Sequence, residues 1–199
     1  SGSPVVWGDS LFLVSAVPIG VEGPASHQPR GTIEPRGVHR FVVMAIDRTT
    51  GKVQWQRTAA EEIPRARSMR DGTWASSSAI TDGRYVFAFF DSSGLYAYDI
   101  RGTLVWQRRF GDKNMFAAVG ESGSTPMLYR DRLVVLWDHQ GESFIAVLDA
   151  RTGTELWRDY RDEVDSWSTP LVVEHGGRAQ VITAAWKRVR SYDLETGAI

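Results

Sequence analysis

Cysteine is absent from the 199 residues, which removes disulfides, thiolate metal sites and cysteine nucleophiles together while leaving the compartment open. No charge of one sign dominates either. Lys and Arg number 23 against 24 for Asp and Glu, too even a balance to hold a phosphate backbone, so nucleic acid is not an expected partner. Long hydrophobic runs are missing as well: the longest, at 86–90 and 133–137, fall far below the roughly 20 residues that span a bilayer as a helix. The opening Ser1-Gly2-Ser3-Pro4 leads straight into Val5-Val6-Trp7 without a basic stretch or cleavage pattern, which places any export signal upstream. Finally, no segment keeps the 3.6-residue apolar period of a long helix.

What the chain does have is a repeat, the feature that decides an array fold. Ala45-Ile46-Asp47-Arg48-Thr49-Thr50-Gly51-Lys52-Val53-Gln54-Trp55 recurs around Asp99, Gly102 and Trp106, and again around Asp149, Gly153 and Trp157. The tryptophans keep a constant spacing of 51 residues (106 − 55 and 157 − 106). A fourth copy, with Asp193 and Gly197, stops where its tryptophan is due, so the segment is expected to be cut from a longer chain at this end, and at the N-terminus too.

Each copy reads as a β-hairpin in which the aspartate accepts loop amides and the glycine takes a positive φ. Two further strand-like stretches precede each hairpin, giving four strands per repeat. Four antiparallel strands in a unit of this length make a propeller blade, so the expected fold is all-β, with blades at 4–58, 74–110, 124–160 and 168–199. The set amounts to about half of a seven- or eight-bladed ring, with a closed four-bladed ring as the competing geometry. Half a ring would expose flat apolar faces and strand edges at its ends.

The pattern Ala-x-Asp-x-x-Thr-Gly-Lys-x-x-Trp resembles the docking motif of pyrroloquinoline quinone (PQQ)-type propellers, and Ser166-Trp167-Ser168-Thr169-Pro170 and Gly123-Ser124-Thr125-Pro126 are similar to BamB-like envelope proteins. The resemblance covers nearly the whole chain; the second copy departs by lacking one loop residue. It implies that Trp55, Trp106 and Trp157 stack on the glycine turn of a neighbouring blade, a structural role. Burying such a ring removes about 150–250 Å² from water, and truncating it costs on the order of 3–5 kcal/mol. The resemblance also implies an extracytoplasmic, periplasmic or cell-envelope location and a scaffold that binds no cofactor. A fragment of a PQQ-dependent alcohol or sugar dehydrogenase, with PQQ and calcium, is the alternative. Against it stand the absent cysteine pair and the number of blades, since a quinone on the axis needs ligands from all round the ring.

No other chemistry is legible. His27, His39, His139 and His175 are scattered without metal-ligand spacing and read as solvated loop or strand-end residues. Ser76-Ser77-Ser78 belongs to no nucleophile elbow and fits the crowded start of an innermost strand. The loop Asp138-His139-Gln140-Gly141-Glu142 groups possible ligands where polar residues are expected anyway.

Strand alternation puts the short docking turns on one face and the long connections, 18–38, 59–73, 111–123 and 161–167, on the other. Rigidly held loops are where binding resides, so the second face is the expected surface for a protein or polymer partner. Its candidates are Trp74, Glu121, Trp167, Trp186, Lys187 and Arg188, with Asp91, Asp138 and His139 beside them. Trp74 and Trp167 equally suit packing at strand starts, and the insertion at 18–38 equally suits a loose excursion. Carbohydrate or polymer recognition through exposed tryptophans is a further alternative.

Overall fold

A computed structural model describes residues 2–20, 31–69, 72–116 and 119–199. The chain is all-β, with almost no helix among the described residues, and a 3-10 turn stands at Asp91–Ser93. The first sheet holds β1 (Val5–Trp7), β2 (Ser10–Pro18), β4 (His39–Asp47) and β5 (Val53–Glu62), in that order. The second runs through β7 (Ile80–Thr81), β8 (Tyr85–Phe89), β9 (Leu95–Asp99) and β10 (Leu104–Arg108). The third consists of β11 (Met127–Tyr129), β12 (Arg132–Trp137), β13 (Ser143–Asp149) and β14 (Glu155–Arg161). The fourth has three strands, β15 (Leu171–His175), β16 (Arg178–Ala184) and β17 (Val189–Asp193). Every pairing within them is antiparallel, and the sheets form a β-propeller segment with no closed barrel.

Beside the expected blade bounds, β5 runs past Thr58 to Glu62, and the second, third and fourth sheets begin their first strands at Ile80, Met127 and Leu171. Within the 18–38 insertion, residues 21–30 lie outside those described. The remainder is anchored: Ile19 N–H donates to Val38 O at 2.8 Å, and β3 (Thr32–Ile33) pairs with β6 (Ser68–Met69).

Three apolar layers separate the sheets. Phe12, Val14, Val43 and Ala45 meet Val86, Ala88, Tyr96 and Tyr98; Phe87 and Leu95 meet Leu133, Val135 and Leu148; Val134, Leu136, Ile145 and Val147 meet Val181 and Tyr192. A sheet covered on both sides needs apolar residues at consecutive positions, and β12 and β13 supply them, which is why 133–137 reads as an unbroken apolar run.

Two sets of bonds fasten sheet to sheet. At the outer edge a bulge falls immediately before each tryptophan: the register slips between Ala45 and Ile46, between Leu104 and Trp106, and between Val147 and Leu148. Such a bulge re-aims the following side chain. The indole N–H of Trp55 donates to Ile100 O (3.1 Å), that of Trp106 to Ala150 O (3.0 Å) and that of Trp157 to Leu194 O (2.8 Å). Each ring lies on the next sheet's glycine, so closely that a Cβ on Gly102 would stand 2.7 Å from Trp55 Cδ2. Asp47, Asp99, Asp149 and Asp193 each accept amides of their own turn, for example Thr50 N–H at 2.7 Å and Thr103 N–H at 2.7 Å, and these bonds hold the carboxyls of Asp47 and Asp99 below the usual range. At the inner edge β1, β7, β11 and β15 adjoin one another, and hydroxyls step between them. Ser3 N–H donates to Ser78 Oγ (3.1 Å), Ser78 N–H to Thr125 Oγ1 (3.0 Å) and Thr125 N–H to Thr169 Oγ1 (3.2 Å), while Ser77 Oγ donates to Ser124 O (2.9 Å).

Candidate functional site: the loop face

The β2–β4, β8–β9, β12–β13 and β16–β17 loops emerge with the inter-sheet links, and the candidate residues on them divide into buried and exposed sets. Asp91 sits in the 3-10 turn with a φ of 45 and is 4% exposed. Lys113, from the link between the second and third sheets, reaches it at 3.2 Å, donates to Ser122 Oγ at 2.8 Å and lies 4.9 Å above the Trp137 ring. Asp138 is fully buried beneath Arg161, whose Nε and Nη2 reach its two oxygens at 2.8 and 3.2 Å. The same guanidinium donates to Thr183 Oγ1 and Tyr192 OH, so one side chain of the third sheet is clasped by the fourth. Burial pushes the Asp138 carboxyl up, and the Arg161 guanidinium opposes that shift.

Two of the four histidines, His39 and His139, correct the expectation of solvated residues. His39 is buried at the start of β4 against the edge of the Trp74 ring, centroids 4.6 Å apart. His139 is buried because its Nδ1 receives the amides of Asn114 and Gly141, each at 3.3 Å, leaving Nε2 to donate to Glu142 O. An imidazole accepting at one nitrogen is neutral, and burial lowers the pKa of both histidines. His175 is exposed at the end of β15, and His27 lies outside the described residues.

Glu121 is 6% exposed. Its Oε1 accepts from Ser68 Oγ (2.7 Å) and Met69 N–H (3.2 Å), whereas its Oε2 is buried with no protein partner among the described residues. Burial pushes this carboxyl up to about 7 against the pull of those two bonds. Trp74 is half-buried and tied by its indole N–H to Ala66 O at 2.8 Å.

The exposed set gathers on the fourth sheet. Trp167 is 54% exposed and Trp186 73% exposed. Ser166 and Ser168, on either side of Trp167, both donate to Ala184 O, two residues before Trp186. Lys187 N–H is held by Glu163 Oε2 at 2.8 Å, and Arg188 pairs with Asp162 at 2.9 Å. Both indoles therefore project from loops pinned at one carbonyl. Sequence reasoning missed the residues that organise this face, Lys113, Arg161, Glu163 and Arg190; charge in a connection signals solvent unless its distant partner is known.

Asp91, Asp138 and Glu163 are each matched to a cation of the chain itself, and no three His, Asp or Glu side chains converge on a point among the described residues. The described helical residues include none long and apolar enough to cross a membrane.

The family model described as outer membrane protein assembly factor BamB matches residues 2–199. The chain belongs to the BamB family. Among solved structures, BamB from Moraxella catarrhalis is similar with a TM-score of 0.52 and 18% identity, over 98% of this chain and 58% of that one. The quinohemoprotein alcohol dehydrogenase of Comamonas testosteroni is similar with a TM-score of 0.58 and 13% identity, over 99% of this chain and 33% of that one. The quinohemoprotein alcohol dehydrogenase ADHIIG of Pseudomonas putida HK5 follows with a TM-score of 0.55 and 13% identity, over 100% and 33%. This member of the BamB family thus spans 58% of a BamB and a third of each of these dehydrogenases. No curated protein matches it in sequence.

Proposed function

We propose that the chain is part of a non-catalytic propeller scaffold of the cell envelope that presents its loop face to a protein partner, with Trp167, Trp186, Lys187 and Arg188 as the contact. The observation that carries this reading is the exposure of two tryptophans on loops pinned at the Ala184 carbonyl. Preorganised tryptophan beside arginine is the composition of interface hot spots, whose truncation costs 2 kcal/mol or more as a rough rule. Asp91, Asp138 and Glu163 of the same face are each paired with a cation of the chain itself, and the BamB family's description as an assembly factor supports a protein partner and the envelope.

The full-length protein provides the test. Photo-crosslinkers placed beside Trp186 are expected to give a discrete adduct in envelope extracts, lost in Trp186→Ala and Trp167→Ala at unchanged thermal stability. Saturable PQQ binding with calcium-dependent dye reduction would overturn the scaffold reading in favour of a dehydrogenase. Glycan-array binding abolished by the same two substitutions would replace the protein partner with a polymer.

A further inference from the structure

The loop face builds one arrangement twice, and only one of the two is complete. In the link before the fourth sheet, Asp165 is 5% exposed. Its Oδ1 accepts the amide of Phe116, from the preceding link, at 3.1 Å, and its Oδ2 accepts the side-chain amide of Gln140. Glu121 stands in the same place one sheet earlier, three residues ahead of Ser124-Thr125-Pro126 as Asp165 is of Ser168-Thr169-Pro170. Its Oε1 likewise accepts an amide of the preceding link, Met69 N–H at 3.2 Å, together with Ser68 Oγ. The second oxygen is where the two differ. Gln140 follows the buried Asp138 by two residues, and the residue two beyond the buried Asp91 is Ser93, whose side chain stops at its hydroxyl. Oε2 of Glu121 has no partner among the described residues.

A recess of the loop face lies between Ser93 and Glu121, with Ser92, Phe90 and Trp74 in its walls and the exposed Arg65 at its rim. Its free space is about that of one water molecule. The terminal torsion of a glutamate is soft, so Oε2 can turn toward this space while Oε1 keeps Ser68. The charge is unmatched as well. Asp91, Asp138 and Glu163 of this face hold Lys113, Arg161 and Arg190, whereas Glu121 forms no ion pair among the described residues, and burial pushes its carboxyl up to about 7. The Arg65 guanidinium is engaged by Asp112 at 2.7 Å. Two aromatic walls favour a cation over an anion, and the Trp74 ring is fixed by its bond to Ala66 O.

We infer that the recess takes a primary ammonium group, the head of a lysine side chain of the protein partner, which completes the bonding of Glu121 as the Gln140 amide completes that of Asp165. An ammonium brings the donors, the charge and a size close to that of water. A guanidinium is too broad for the space, and a carboxylate or phosphate would be repelled by Glu121. The source of the lysine rests on the proposed protein partner of the loop face; the recess itself does not.

The probe is n-butylammonium, titrated at pH 8 into full-length protein labelled with 5-fluorotryptophan. A saturable shift of the Trp74 fluorine resonance, assigned by its loss in Trp74→Phe, is expected, with n-butanol and tetramethylammonium giving none. Glu121→Gln should weaken the binding by about tenfold or more, the worth of a hydrogen bond to a charged group. Ser93→Gln keeps the carboxylate but supplies the amide from within the chain, and should weaken it as much while leaving the other tryptophan resonances in place. No shift in the parent, an equal shift with butanol, or undiminished binding by Ser93→Gln would overturn the inference. The adduct trapped beside Trp186 is expected to diminish in Ser93→Gln. An unchanged adduct, with butylammonium bound by the parent, would overturn lysine as the occupant. Butylammonium binding without any adduct would support the recess as an ammonium site and count against the protein partner.

Discussion

Replacing Lys113 by methionine removes one charge from the interior while nearly keeping the side chain's volume, and the geometry around it sets the consequence. The ammonium group is fully buried, bonded to Asp91 and Ser122 and stacked over Trp137, so its loss leaves the Asp91 carboxylate facing an apolar ring with only Ser122 as partner. Breaking a buried pair from one side costs about 3–5 kcal/mol, because the remaining charge is uncompensated. Adding Asp91→Asn takes that charge away while keeping an oxygen for the amide of Ser122, now 3.1 Å from Oδ2, and a residual cost of about 1 kcal/mol remains for imperfect hydrogen bonding. Adding Asp91→Asn should thus recover about 2–4 kcal/mol of the Lys113→Met loss, read from urea denaturation at pH 7 with m held common. A Lys113→Met loss below about 1 kcal/mol, or additive single and double variants, would refute the reasoning, since either result means that water reaches the pair.

Glu121→Gln should remove a pH dependence. A carboxyl whose folded pKa is raised from 4.5 to about 7 binds more protons folded than unfolded between those values, so its contribution falls as pH rises through that window, by an amount on the order of 3 kcal/mol in all. Thermal melts from pH 5 to pH 8 are expected to be flatter in the variant than in the parent. Trp106→Ala should cost on the order of 3–5 kcal/mol in chemical denaturation, since the indole packs on Gly153 and bonds Ala150 O. Gly153→Ala should lose clearly more stability than Gly176→Ala: both positions have positive φ, with a strain of about 1 kcal/mol, but only Gly153 would drive a Cβ into an indole, 2.7 Å away.

The repeat made the architecture legible, because an aspartate, a glycine and a tryptophan at fixed offsets are each explained by local chemistry: an amide acceptor, a positive φ and a large ring. The buried ions were not legible. Lys113 and Asp91 are 22 residues apart and Arg161 and Asp138 are 23 apart, one pair joining a loop to a link and the other a loop to the end of β14, and no local pattern announces that such segments meet. The anchored half of the 18–38 insertion escaped for the same reason, since β3 and β6 are two residues long and exist only through each other. Among the candidate contacts, Trp74 and Trp167 looked alike in sequence, each beside a Ser or Thr near a strand start, and packing alone separated the tethered indole from the projecting one.

Because adjacent sheets are fastened at two radii, by indoles at the rim and by hydroxyls near the centre, neither fastening can act as a pivot for the other. Two sheets joined at one line would swing like covers on a spine; joined at two, they resist bending as a laminate does. A ligand gripping Trp167 and Trp186 would therefore load the whole stack rather than one leaf of it, and tension applied there should be met by cooperative rupture rather than by gradual peeling.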